Sequence, residues 1–86
     1  MDNFEAHIID DILDERRLQD EKWGEQNHPD YVWVTILGEE FGEACKALLE
    51  MRSDALYIEI IQMMAVCLAW LECRNRKWVK ENGITN

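Results

Sequence analysis

Ile36-Leu37-Gly38-Glu39-Glu40-Phe41-Gly42-Glu43-Ala44, together with Tyr57-Ile58-Glu59-Ile60-Ile61-Gln62, decides how this chain is read. On a helix advancing about 100° per residue, Glu40 and Glu43 stand about 60° apart, and Glu59 and Gln62 repeat that separation. Two helices can therefore bring four oxygen-bearing side chains together. Glu40 falls within the arc of Trp33, Ile36, Ala44, Ala47 and Met51, with Glu43 at its edge, and Glu59 within that of Ala55, Met63, Val66 and Trp70. These are places for hydrophobes. A carboxylate held there without a partner is costly or takes up a proton, so a cation, a base or a hydrogen-bond network must satisfy it. Three acids and an amide suit a hard divalent cation bound through oxygen, Mg²⁺ or Mn²⁺, with Glu40, Glu43, Glu59 and Gln62 as the expected ligands.

Outward from this core the chain reads as helices separated by short breaks. Residues 3–22 place Phe4, Ile8, Ile12 and Leu13 among alternating acids and bases, the pattern of an amphipathic helix. Gly24-Glu25-Gln26-Asn27-His28-Pro29-Asp30 marks a loop, with Asp30 as an expected cap for the second helix. That helix is predicted over residues 32–51, with Leu37, Phe41, Ala44, Leu48 and Met51 on the core side. Thr35, Gly38, Gly42 and Cys45 make a small-residue stripe along it, expected to meet another helix. After Arg52-Ser53-Asp54, where Ser53 or Asp54 is the expected cap, a third helix runs from about 54 to at least 73. Through Leu71 its polar interruptions are Glu59 and Gln62, which predicts a central position in a bundle. Arg74, Arg76, Lys77 and Lys80 then form a basic tail, suited to the helix dipole or to a triphosphate.

A chain of 86 residues makes one domain, 1–86, and a domain this small leaves much of its surface unburied. With 48% hydrophobic residues, four Trp and four Met, it is expected to cover an apolar face by self-association. The net charge of -9 argues against a nucleic acid polymer as partner but leaves a small phosphorylated substrate open, since metal ions bridge carboxylate to phosphate. The three cysteines show no C-x-x-C or metal spacing and read as reduced core or interface thiols. The N-terminal stretch has no apolar signal segment, and residues 55–71 read as a buried helix rather than a membrane span. The expected location is cytoplasmic, with no membrane partner.

The order Glu39-Glu40-x-x-Glu43 followed by Glu59-x-x-Gln62 resembles the EExxE…ExxD signature of the MazG-like all-α nucleoside triphosphate pyrophosphohydrolases. Upstream, Arg17-Leu18-Gln19-Asp20-Glu21-Lys22-Trp23-Gly24-Glu25-Gln26-Asn27-His28-Pro29 is similar to the segment before that signature in short phage or mobile-element members. The resemblance covers most of residues 15–73. It implies an all-α, three- to four-helix MazG-like bundle completed by oligomerisation as a homodimer or tetramer. It also implies hydrolysis of a nucleotide substrate to monophosphate and pyrophosphate with Mg²⁺. By the same resemblance Glu39, Glu40, Glu43 and Glu59 are catalytic, Glu39 as an added ligand or water-activating base, and Gln19, Lys22, Trp23 and His28 are substrate-binding. One departure is chemical: Gln62 stands where the family has Asp, offering a neutral and weaker ligand. Longer members also carry a further helix after the third.

The chemistry expected is attack of a metal-activated water on phosphorus, with no nucleophilic side chain. The alternative, motivated by Gln62, is a non-catalytic nucleotide-binding or helical interaction module that keeps the scaffold without turnover.

Overall fold

The structure, a computed structural model, describes residues 3–83. It is all-helical: α1 (Asn3–Trp23), α2 (Asp30–Leu49) and α3 (Ser53–Glu81), with no strand among the described residues. Helix α3 continues through the whole basic tail. Leu, Met and Ala support it early, and Lys and Arg suit its C-terminal end. It is the central element, packing against both α1 and α2.

Local stops and starts obey backbone chemistry. Gly24, at φ 73°, ends α1, its amide donating to the Asp20 carbonyl (2.8 Å). The α2–α3 turn closes with Arg52 N–H on the Ala47 carbonyl (2.8 Å) and Met51 N–H on the Leu48 carbonyl (3.1 Å). Met51 takes φ 57° there, a position that glycine would fill without strain. The expected side-chain caps do not form: Pro29 and Arg52 precede α2 and α3, and neither start carries a side-chain cap bond. Asp30 is instead drawn to α3, where it accepts from Trp70 Nε1 (2.8 Å) and Arg74 Nη1 (2.6 Å). A charge-assisted bond to Arg outweighs a cap.

The core is thin. Trp33, at 2% exposure, packs with Val66, Ala69 and Cys73, and Ile36, Leu37 and Trp70 lean on this cluster. Helix α1 buries no residue fully. It is held to α3 by Arg16 Nε on Glu72 Oε1 (2.6 Å) and by the Tyr57 hydroxyl donating to Asp11 Oδ2 (2.6 Å). Of the apolar residues expected on the core side of α2, Ala44 is buried, whereas Phe41, Leu48 and Met51 are exposed. The apolar arc of α2 is wider than its single neighbour α3 covers. Among the described residues the two glycines of the small-residue stripe likewise meet no other helix, since a Cβ at Gly38 or Gly42 would find nothing within 4 Å.

Candidate functional site

Three of the acidic-pair residues meet between α2 and α3. In the amide orientation that satisfies its surroundings, Gln62 Nε2 donates to Glu59 Oε2 (3.1 Å) and to Glu40 Oε2 (3.2 Å). All three are half-buried. Burial and the negative charge of Glu59, Glu43, Glu15 and Glu39 raise the pKa of Glu40 above the ordinary glutamate value. Among the described residues none of these five acids forms an ion pair. Positive charge is short at this point in the molecule.

The cluster borders two adjoining clefts that share Gln19, Trp23 and Glu40. One, of about 260 Å³, is bounded by Trp33, Ile36 and Val66 on its inner wall and by Gln26 and Glu39 at its edge. The other, of about 200 Å³, runs along α1 past Glu15, Leu18 and Lys22 to Gln62. Glu15, Gln19, Lys22 and Trp23 reach this space together because steps of four, three and one residue keep them near one face of α1. That periodicity is also the signal for Glu15, which by residue type alone reads as a surface acid. The Lys22 ammonium lies 4.8 Å from the centroid of the Trp23 ring.

Glu39 and Glu43 are exposed, and Glu39 sits on the cleft edge. His28 is elsewhere. Its ring meets Trp33 edge-on at 5.1 Å between centroids, and its carbonyl accepts from Cys73 Sγ (3.6 Å) and Lys77 Nζ (3.4 Å). It lines neither cleft, and it braces Trp33 from behind. The basic tail is also spent on the loop: Arg76 donates to Asn27 Oδ1 (3.0 Å) and the Gln26 carbonyl (2.9 Å), and Arg74 holds Asp30. Along α3, Arg74 lies fifteen positions beyond Glu59, roughly 22 Å at 1.5 Å per residue. The tail positions the cleft's Gln26 edge and stays away from the acids.

The donor set is all oxygen, which is the kind a hard divalent cation takes. The described residues nonetheless contain no group of three or more His, Cys, Asp or Glu side chains arranged to hold a metal ion. Two carboxylates meet, and between them the Gln62 amide nitrogen does a cation's work. Compared with known proteins, the chain matches no protein-family model, no curated protein and no solved structure.

Proposed function

We propose that this cleft carries Mg²⁺-dependent hydrolysis of nucleoside triphosphates to monophosphate and pyrophosphate, the activity suggested by the resemblance of the acidic pairs to the MazG-like enzymes. The observation that carries this reading is the convergence of Glu40 and Glu59 on Gln62, without a basic partner, at a cleft edged by Trp23. A half-buried carboxylate surrounded by other carboxylates is poised to gain by taking up positive charge. Glu40, Glu43 and Glu59 would hold the cation, with Gln62 turning its amide to present oxygen. When bound, Mg²⁺ or Mn²⁺ supplies charge for the phosphate oxygens and lowers the pKa of a bound water.

The chain's own residues supply the rest. Glu39, exposed at the cleft edge, accepts the proton of the attacking water. Trp23 offers a ring on which a base stacks, and Gln19 offers an amide donor and acceptor for its edge. Lys22, beside that ring, neutralises phosphate charge. His28 acts on the substrate through Trp33, whose position it fixes. The deciding assay incubates the protein and Mg²⁺ with ordinary, deoxy and damaged nucleoside triphosphates and identifies the products. Pyrophosphate is expected from at least one of them, and a folded protein that leaves every nucleotide intact ends the proposal.

One observation favours a second reading. Because the Gln62 amide already bonds both carboxylates, the scaffold can bind nucleotide, or a helical partner, without turnover. In that case Gln62→Asp gains hydrolysis that the natural sequence lacks.

A further inference from the structure

We propose that Gln26 selects among bases at the edge of the cleft, and that Arg76, near the far end of α3, positions it to do so. The inference rests on the nucleotide reading of the cleft and adds to it a second amide beside Gln19. Both glutamines border the cleft walled by Trp23, Trp33, Ile36 and Val66. Both are half-buried, and among the described residues neither side-chain amide has a hydrogen-bond partner within the chain. Such an amide carries two donors and an acceptor in a space that solvent reaches only in part. Its bonds are left for an occupant.

The residues on either side of Gln26 are treated differently. Asn27 Nδ2 donates to Glu25 Oε2 (2.9 Å), while Arg76 Nε donates to Asn27 Oδ1 (3.0 Å) and lies 3.6 Å from Glu25 Oε1. Of Gln26 itself Arg76 takes the backbone carbonyl, through Nη2 (2.9 Å), and not the side chain. Two residues on, the His28 carbonyl accepts from Cys73 Sγ and Lys77 Nζ. Cys73, Arg76 and Lys77 follow one another at steps of three and one, on one face of α3. That face grips the loop backbone on both sides of Asn27, which fixes where the Gln26 side chain leaves it. A loop held before the ligand arrives has little freedom left to lose on binding.

The cleft's charged groups, Glu39 and Glu40, belong to the acidic cluster. The two neutral amides suit an uncharged base that sets a donor beside an acceptor on one edge. A site built to hydrogen-bond such an edge rejects an occupant that leaves its amides unpaired. Arg76 stands seventeen positions beyond Glu59, roughly 26 Å along the helix at 1.5 Å per residue, so it acts on the base and not on the cation.

Calorimetric titration with the α,β-methylene analogues of ATP, GTP, CTP and UTP in saturating Mg²⁺ tests this, with inorganic tripolyphosphate as the probe that lacks a base. The natural protein is expected to bind its preferred analogue at least about tenfold more tightly than the poorest. Gln26→Ala should bring that ratio within about threefold and leave tripolyphosphate affinity unchanged. Gln26→Glu, of the same shape, should reorder the four analogues, because an oxygen replaces the amide donor. Arg76→Ala should lower the ratio by less than Gln26→Ala, and Arg76→Lys, which keeps a donor for the Gln26 carbonyl, should recover part of it. Four analogues bound alike by the natural protein overturn the proposal, as does a ratio kept in both Gln26 variants or a Gln26→Ala loss shared by tripolyphosphate. A ratio unmoved by Arg76→Ala overturns the positioning role. Binding of no analogue ends this inference together with the nucleotide reading. Selective binding with no pyrophosphate released from the natural triphosphates ends the hydrolysis alone and supports the selection by Gln26.

Discussion

Asp30 and Glu40 lie on the same helix and are treated in opposite ways. Asp30 opens α2 with both oxygens satisfied, by the Trp70 indole and the Arg74 guanidinium. Its pKa is lowered by those two hydrogen bonds and by the nearby charges of Arg74 and Lys77. Glu40 is sunk further into the structure and faces other acids, and its pKa is raised by burial and by that repulsion. With nine basic residues against eighteen acidic ones, cations are scarce. Most of those on the tail are placed at the loop, where they fix structure, and none at the acidic pairs. The contrast separates a carboxylate whose charge the fold satisfies from one whose charge burial and neighbouring acids oppose, the one to which the proposed function assigns a cation.

The sharpest way to break the comparison is to neutralise the unsatisfied side. Glu40→Gln or Glu59→Gln should cost roughly 10²-fold or more in nucleotide turnover, the scale of losing a ligand or base at the reacting centre. Stability should move the other way. Glu40→Gln removes a repelled carboxylate, so Tm in the absence of Mg²⁺ should rise slightly, screened by the solvent that still reaches the site. A variant that loses turnover because it unfolds contradicts this account, and thermal melts beside the assay distinguish the two.

The next effect sharpens the comparison by supplying more of what Glu40 lacks a partner for. Gln62→Asp replaces an amide donor with another carboxylate, so the metal-free protein should melt lower and gain more from added Mg²⁺. A tenfold tightening of Mg²⁺ corresponds to about 1.4 kcal/mol, and it should be visible as a Mg²⁺-dependent shift in Tm. Equal Mg²⁺ responses in the two proteins would mean that residue 62 is not at the cation.

How far the sequence foretells this arrangement depends on the kind of information needed. Helical period alone tells which residues share a face, and so Glu40, Glu59 and Gln62 can be grouped from the sequence. Period does not tell which face a neighbour covers. Phe41 and Leu48 therefore read as core but stand exposed, because only α3 packs on α2, and Met51 is exposed because α2 ends at Leu49 and leaves it in the turn. Loop residues have no period at all. Residue type and resemblance place His28 near the substrate without foretelling its contacts within the chain, with Trp33, Cys73 and Lys77 on two different helices. The clasp of Arg74 and Arg76 on the loop is hidden for the same reason: such pairs span some forty-five to fifty positions, and a tail of cations fits equally well with a helix end.

Removing the satisfied side should matter less. Arg74→Ala leaves Asp30 with its Trp70 bond but takes away the cation, and both groups are exposed, so a fall in Tm of no more than a few degrees is expected. Nucleotide turnover should be nearly kept, because the acids are untouched. A large loss of turnover with Tm unchanged would mean that Arg74 reaches the substrate after all.

The smallest effect is the dependence of stability on pH, in which the two carboxylates pull in opposite directions. Glu40 has a raised folded pKa, so the folded chain binds more protons than the unfolded one between the ordinary value, 4.5, and the raised one. Stability should therefore increase as pH falls from neutral toward 4.5. Asp30 has a lowered folded pKa, so its contribution is present above the ordinary value, 3.8, and is lost as pH falls below that toward the folded value. The two windows do not overlap, and together they set a stability maximum on the acid side of neutrality. Urea unfolding across this range checks it: Glu40→Gln should flatten the upper slope and leave the lower one, and Asp30→Asn should do the reverse. Saturating Mg²⁺ should also flatten the upper slope, because a cation that stabilises the charged form of Glu40 removes the reason for its pKa to be raised. If the slope above 4.5 is the same with and without Mg²⁺, the repulsion at Glu40 is not relieved by metal, and the acidic meeting point is a structural feature rather than a cation site.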